Sequence, residues 1–353
     1  MENLLADDLD HILQHSEDLW SEMRGERVFI TGGTGFVGSW LLEGLLWANR
    51  RLNLDIRCTV LTRDAEGFKQ RRAHLASDPA LTLLEGSAAN FHFPGGTFPL
   101  VVHAATERPF TADAEHPYST FLFDIGATAR ILEFAGRAGV RRMLFTSSGA
   151  VYGRQPAAMS HIPEDYAGAP AASDVHSAYA QAKRASEFLC ASAARARGFG
   201  IAIARLFAFV GPYLPLDAHY AAGNFLRDIL AGGPVRIAGD GTPYRSYLYA
   251  ADLSIWLWTM LLRAPSGVPF NVGSEDAVSI AALARRVLSA TSAASEIHIA
   301  TTPVSGRAPE RYVPDVARAG LQLGLRQWIP LDEAIRRTYR WHLRQRIAEA
   351  VFA

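Results

Sequence analysis

Residues 28–46 read VFITGGTGFVGSWLLEGLL. An apolar run, Val28-Phe29-Ile30, enters a glycine-rich turn, Thr31 to Gly38, and leaves it as a helical pattern, Ser39 to Leu46. Strand, glycine turn and helix in that order form a dinucleotide-binding unit. Gly32, Gly35 and Gly38 fall as G-x-x-G-x-x-G. The first lets the chain turn sharply off the strand, the second lets backbone approach a pyrophosphate, and the third lets the helix pack close on the sheet. The pyrophosphate then rests on the N–H groups of the first helical turn, where the dipole favours negative charge. Thr34, Phe36 and Val37 lie between these glycines and join them as cofactor-binding candidates.

Outward from this unit, apolar runs at Ile56–Thr62, Leu81–Glu85, Leu100–Ala105, Arg142–Ser148 and Ile201–Phe207 read as strands. Helices are expected near Tyr118–Ala138 and from about Ser177. Strands alternating with helices predict an α/β fold, a Rossmann-type doubly wound parallel sheet with right-handed crossovers. Leu5, Leu9, Ile12, Leu13, Leu19 and Trp20 recur near helical spacing, so residues 1–25 are expected to be a helical extension lying on the domain's surface. Residues 26–207, completed by about 246–275, make the dinucleotide-binding domain. Beyond Phe207 the strict alternation fails, and residues 208–245 and 276–353 are expected to form a smaller C-terminal lobe over the sheet's carboxyl edge.

Composition narrows the partners. The 353 residues carry 35 Lys and Arg against 35 Asp and Glu, which gives no electrostatic case for nucleic acid or an anionic membrane. The longest apolar stretch, near Ile255 to Leu262, is too short to cross a bilayer. Early acids (Glu2, Asp7, Asp8) and the lack of an apolar segment argue against a signal peptide. Two cysteines, Cys58 and Cys190, make no disulfide framework. The expectation is a cytoplasmic protein. His161, His176 and His219 are scattered without ligand spacing, so no metal site is expected.

Chemistry is carried by SAYAQAK, residues 177–183. Tyr179 and Lys183 are four apart and share one face of a helix. There the ammonium favours phenolate and is expected to lower the tyrosine pKa, so that Tyr179 exchanges a proton with a substrate hydroxyl or carbonyl. Ser148 stands at the carboxyl end of a strand, where ligands bind in open α/β sheets, and is placed to hydrogen-bond the same oxygen. At the end of the second strand, Arg63 suits the 2′-phosphate of NADP(H), while Asp64 suits the ribose hydroxyls of NAD(H). If the first residue past the strand faces the ribose the cofactor is NADP(H), towards which this reading leans; a shift of one residue gives NAD(H).

The glycine turn, TSSGAVYG at 146–153 and YAQAK at 179–183 resemble the extended short-chain dehydrogenase/reductase family of nucleotide-sugar epimerases, dehydratases and ketoreductases. Further similarities are His103-Ala104-Ala105, Arg205-Leu206-Phe207 with Gly211-Pro212, GDGTPYRSYLYAADL at 239–253, and Asn271-Val272-Gly273. The resemblance implies a nicotinamide cofactor, a nucleotide diphosphate sugar as substrate, and a homodimer formed through the helices near 121–138 and 177–196. It implies Ser148, Tyr179 and Lys183 as the catalytic trio, with Tyr179 and Lys183 also touching the cofactor. His103, Ala104 and Ala105 lie near the cofactor, His103 as a packed strand-end residue. Asn224, Arg245 and, more loosely aligned, Arg307 match substrate diphosphate contacts.

Departures matter too. Ser87 stands where the family commonly has an Asp near the adenine, Asp124 where an Asn opens a helix, and Ala208 where an Asn often contacts substrate. Family dehydratases usually carry an Asp-Glu pair after the residue matching Ser148, decarboxylases a Glu where Ala150 stands, and 3,5-epimerases a Cys there. Gly149 and Ala150 move no proton. The resemblance then leaves hydride exchange at one sugar carbon, most often C4. A 4-keto-6-deoxy sugar nucleotide ketoreductase is the first expectation and an NAD-dependent C4 epimerase the alternative. A non-catalytic dinucleotide sensor is a distant third, because the trio is intact.

Overall fold

The computed structural model describes residues 3–106, 116–218 and 220–352. The first helix, α1, spans Ala6–Glu22 and is followed by β1 (Arg27–Thr31), α2 (Phe36–Leu52) and β2 (Arg57–Thr62). Two short helices, α3 (Ala65–Arg71) and α4 (Ala73–Ala76), lead to β3 (Leu81–Glu85) and β4 (Leu100–His103). Then come α5 (Pro117–Arg137), β5 (Arg142–Ser148), α6 (Ala178–Arg197) and β6 (Gly200–Leu206). The C-terminal part comprises β7 (Phe209–Val210), α7 (Ala221–Leu230), β8 (Val235–Ile237), β9 (Tyr244–Arg245), β10 (Leu248–Tyr249), α8 (Ala250–Arg263) and β11 (Pro269–Val272). It continues through β12 (Val278–Ser279), α9 (Ile280–Thr291), β13 (Ile297–Ile299), β14 (Arg311–Tyr312), α10 (Ala317–Leu323) and α11 (Leu331–Phe352).

Seven strands pair in parallel in the order β11-β6-β5-β4-β1-β2-β3, the doubly wound sheet expected from the sequence. The strand order reverses between β1 and β4, which opens a crevice at their carboxyl ends. Period-two alternation explains the layering. Val28 and Ile30, Leu100 and Val102, and Leu144 face one core, built with Trp20, Trp40, Trp256 and Trp258. Phe29, Val101, Met143 and Phe145 face the other, built with Phe91, Phe98 and Phe134. Helices α5 and α6 pack against each other on that second face.

The N-terminal helix turns Asp7, Asp10, Gln14, Glu17 and Asp18 to solvent and its apolar face inward. Leu9, Ile12 and Trp20 of α1 are fully buried, and α1 packs on α2 and α8. Its buried Asp8 accepts from the Tyr249 hydroxyl at 2.6 Å and from Arg337 of α11 at 2.5 Å. The helix kinks at Ser16 (φ −141°), whose hydroxyl donates to the Ile12 carbonyl at 2.5 Å and accepts the Trp20 indole N–H at 2.9 Å. Amphipathic spacing shows that a helix has an apolar face, but not how deeply that face is covered.

Candidate active site

The glycine turn lies in the crevice between β1 and β4. Gly32 has φ +71°, and a Cβ there would come within 2.6 Å of the Ala105 nitrogen. A Cβ at Gly38 would meet the Gly33 carbonyl carbon at 2.6 Å. These two glycines are required by the protein itself. Gly35 is exposed and would meet only the Gly32 carbonyl oxygen, at 3.5 Å. It begins α2 without any side-chain cap, so first-turn N–H groups have no helical acceptor. This cradle, which a side chain at Gly35 would fill, fits a pyrophosphate on backbone N–H groups. Thr34, Phe36 and Val37 are half-buried around it.

On the β4 side, Ala104 N–H donates to the Thr31 carbonyl at 3.1 Å and Ala105 N–H to the Thr31 hydroxyl at 3.2 Å. His103 is buried, with Nδ1 2.8 Å from Thr31 Oγ1 and Nε2 3.2 Å from Thr128 Oγ1. Burial, and then Lys183, push its pKa down to about 3, so it is a neutral tether at ordinary pH. Ser87 follows the sharp turn at Gly86 after β3, and its hydroxyl accepts the Ala89 N–H at 3.4 Å.

At the second strand, β2 ends at Thr62, so Arg63 is the first residue beyond it. Arg63 is exposed, and its guanidinium carbon is 6.0 Å from the Phe123 ring centre. Asp64 instead caps α3, its Oδ1 accepting the Gly67 N–H at 2.8 Å while Arg71 lies 3.3 Å from Oδ2.

Ser148, Tyr179 and Lys183 come together where β5 ends and α6 begins. Ser148 is buried at the end of β5, and its hydroxyl accepts the Ala150 N–H at 3.1 Å. It lies close enough to the Tyr179 phenol to favour its ionised form. Lys183 is buried, with Nζ 3.1 Å from the Thr146 carbonyl oxygen and 5.6 Å from the Tyr179 ring centre. The expectation of a lowered tyrosine pKa does not hold. Burial raises the Tyr179 phenol well above its ordinary value; the nearby Ser148 hydroxyl opposes this, and Tyr312, Asp124 and Tyr220 add to it. Burial also lowers the Lys183 pKa, partly offset by Asp124. Helical spacing brings the two side chains near each other, but desolvation decides the phenol's protonation. Tyr179 is therefore a proton holder at neutral pH.

Two further tyrosines reach this cluster that sequence reasoning did not assign to it. Tyr312, whose hydroxyl donates to the Leu206 carbonyl at 3.4 Å, and Tyr220, the residue before α7, both lie close enough to push the Tyr179 phenol pKa up. Asp124 lies in the second turn of α5 rather than at its opening, because that helix begins at Pro117; its carboxylate accepts the Thr106 hydroxyl at 2.8 Å. Ala208 is half-buried in the short connection from β6 to β7.

The substrate candidates are spread more widely. Arg245 is half-buried in β9, in register with Tyr312 of β14, and its guanidinium carbon is 5.9 Å from the Tyr312 ring centre. Asn224 turns its amide towards its own loop, and with the nitrogen placed on the side of the loop carbonyls it donates to Ala218 at 2.8 Å and to Leu216 at 3.2 Å. Arg307 sits on an exposed loop, 3.7 Å from Glu310. The cation packed on β9 is Arg311, whose guanidinium carbon lies 4.3 Å from the Tyr244 ring centre. His161 is half-buried, His176 is exposed, and His219 lies outside the described residues. No group of three or more metal-binding side chains occurs among the described residues, and none of their helices is long and apolar enough to cross a membrane.

This arrangement, a glycine cradle at the sheet's switch point beside a Ser–Tyr–Lys cluster, defines a class, and comparison identifies it. Residues 28–273 match the NAD dependent epimerase/dehydratase family, and the chain belongs to that family, within the extended short-chain dehydrogenase/reductases. It is similar to UDP-glucuronic acid decarboxylase 5 of Arabidopsis thaliana, 28% identical over 334 residues that span 91% of each chain. UDP-glucuronic acid decarboxylase 1 of Danio rerio is 26% identical, over 92% of this chain and 74% of that protein. In fold it resembles UDP-glucuronic acid 4-epimerase from Bacillus cereus, solved with UDP-glucuronic acid and NAD (TM-score 0.76, 20% identity, 90% of this chain and 99% of that one). It also resembles DesIV, the dTDP-glucose 4,6-dehydratase of Streptomyces venezuelae, solved with NAD bound (TM-score 0.77, 24% identity, 91% and 98%). The chain is an enzyme of a family that depends on nicotinamide dinucleotide.

Proposed function

We propose that this enzyme is a nucleotide-sugar oxidoreductase that reduces the C4 carbonyl of a 4-keto-6-deoxy sugar nucleotide. The observation that carries the reading is the meeting of buried Ser148 and Lys183 with Tyr179, whose ring centre is 5.6 Å from the Lys183 ammonium and whose phenol pKa burial has raised. A tyrosine held protonated is an acid, and an incoming carbonyl needs a proton at oxygen. Ser148 orients that oxygen, Tyr179 protonates it, and Lys183 keeps positive charge behind the phenol as it ionises. A nicotinamide cofactor, when bound, supplies the hydride. Gly32, Gly35 and Gly38, with Thr34, Phe36 and Val37, hold its pyrophosphate; Ala104 and Ala105 flank it, and Ser87 lies towards the adenine.

Arg63 as the first residue past β2, with Asp64 engaged in capping α3, supports NADP(H) over NAD(H). Decarboxylation, the reaction named for the curated relatives, is disfavoured because Ala150 offers no acid where such enzymes usually carry Glu. The lobe of residues 208–245 and 276–353 binds the nucleotide diphosphate, with Arg245, 5.9 Å from the Tyr312 ring centre, as a cation beside the hydroxyl cluster. Asn224 reaches it only by releasing its loop carbonyls. Arg307 serves as a peripheral contact. Tyr118 (76% exposed) and Leu122 (49%) on α5 and Phe188 (72%) on α6 support a homodimer through these helices. The buried free thiols Cys58 and Cys190 suit a reducing cytoplasm.

The test is a purified-enzyme assay with NADPH and dTDP-4-keto-6-deoxyglucose. The reading expects one NADPH oxidised per sugar reduced. Interconversion of a 4-hydroxy sugar nucleotide with no net cofactor change would replace it with C4 epimerisation.

A further inference from the structure

One ion pair grips the chain on both sides of Ser148. Glu187 lies on α6 one turn beyond Lys183, and its Oε1 accepts the Ser147 hydroxyl at 2.5 Å. Ser147 is buried and immediately precedes Ser148. The Arg205 fork engages both oxygens of the same carboxylate, Nε to Oε1 at 2.9 Å and Nη2 to Oε2 at 2.7 Å. Arg205 stands on β6 in register with Ser147. Its Nη1 donates to the Tyr152 hydroxyl at 2.8 Å, and Tyr152 closes the short turn Gly149–Tyr152 that follows Ser148. The Tyr152 hydroxyl in turn donates to Asn271 Oδ1 of β11 at 2.7 Å. Lys183 holds the same strand end by the Thr146 carbonyl, 3.1 Å away.

The Glu187 and Arg205 side chains are each only 13% exposed. An ion pair so shielded adds little net stability, because desolvation offsets the attraction, whereas its paired hydrogen bonds fix direction and distance. We propose that Glu187 is a positioning residue for the reaction: with Arg205 it fixes the end of β5 and the turn after it against α6, so that the Ser148 hydroxyl and the Tyr179 phenol converge on one oxygen. The proposal rests on the reading that Ser148 and Tyr179 address one sugar oxygen. The Glu187 oxygens are committed to Ser147 and Arg205, so Glu187 acts through the chain it holds and transfers no proton itself. Misplacing a catalytic group by about 1 Å costs on the order of a hundredfold in rate, which gives such a brace its leverage.

Glu187→Ala would strand the Arg205 charge and endanger the fold, so the test removes the groups that the pair holds. Ser147→Ala deletes one hydrogen bond and leaves the ion pair in place. With NADPH and dTDP-4-keto-6-deoxyglucose, its kcat is expected to fall roughly tenfold with KM for the sugar within about twofold. NADPH affinity, read by its fluorescence, should be unchanged. Tyr152→Phe keeps the ring beside the Arg205 guanidinium, 4.7 Å from its centre, removes only the hydroxyl and should act in the same direction. On a Tyr179→Phe background the Ser147→Ala loss should shrink to about twofold or less, because Ser148 no longer has a second hydroxyl to converge with. A Ser147→Ala enzyme with wild-type kcat, or a loss equally large without the Tyr179 hydroxyl, would overturn the proposal. A second measurement does not depend on turnover: NMR of protein labelled with ¹³C at tyrosine Cζ, with the Tyr179 signal assigned through Tyr179→Phe. Ser147→Ala should move that signal, and a Tyr179 signal indifferent to it contradicts the proposal. If the wild-type enzyme ignores this sugar nucleotide, the C4 reading fails and the NMR result alone decides the role of Glu187.

Discussion

The ammonium of Lys183 sits 5.6 Å from the centre of the Tyr179 ring and gives its hydrogen bond to the Thr146 carbonyl, 3.1 Å away. Lys183 is thus fixed by the end of β5 before any substrate arrives, while burial keeps Tyr179 protonated. Removing the phenol oxygen should remove the acid without disturbing the fold. Tyr179→Phe is expected to lose roughly 10² to 10⁴ in kcat while NADPH still binds. The protonated form does the work and its pKa is raised, so the rate of reduction should be lost only as pH climbs beyond the ordinary phenol value of about 10. A pH–kcat profile checks this. An alkaline loss centred near neutrality would show that Tyr179 is not the acid.

Arg63 and Asp64 are neighbours in sequence with different local tasks. A guanidinium–phosphate contact contributes on the order of 1.5–3 kcal/mol. Arg63→Ala should therefore raise KM for NADPH roughly tenfold to hundredfold and change KM for NADH by less than about twofold. Parallel steady-state assays with the two cofactors provide the comparison.

The glycines of the turn should separate by mechanism. Gly35→Ala meets almost nothing within the protein, so it should melt like the wild type yet lose dinucleotide binding, measured by calorimetry. Gly38→Ala drives a methyl into the Gly33 backbone and should lower stability by several kcal/mol, on the order of other steric core insertions. If Gly35→Ala retains full cofactor affinity, the cradle does not hold the pyrophosphate.

His103 makes stability depend on acid. Its folded pKa, about 3, lies below the unfolded value near 6.5. Between those values only the unfolded chain binds the proton, so its contribution is intact above about pH 6.5 and declines as pH falls towards 3. Each unit costs about 1.4 kcal/mol, or about 2 kcal/mol between pH 7 and pH 5. Urea unfolding at the two pH values should show a smaller difference for His103→Asn than for the wild type.

Much of the scaffold was legible because buried parallel strands read as short apolar runs. Leu81–Glu85 and Arg142–Ser148 agree with β3 and β5 to the residue. The glycine turn was legible because two of its glycines answer to backbone contacts that any such turn must make. Tyr312 was not, because it enters through a two-residue strand paired with β9, too short to leave a periodic signal. Arg311 carried no signal for the same reason, since its packing on Tyr244 comes from the pairing of β14 with β9. The protonation of Tyr179 was misjudged because sequence shows the spacing of Lys183 but not the loss of solvent around the phenol.

Isotope transfer tests the central claim most directly. NADPH carrying deuterium at the transferable C4 position of the nicotinamide would be incubated with dTDP-4-keto-6-deoxyglucose, and the product sugar examined by NMR and mass spectrometry. Reduction at C4 predicts one deuterium per product molecule, bound at sugar C4, with Tyr179→Phe abolishing its appearance. Product formed without deuterium at C4, or label found at another sugar carbon, would contradict the account.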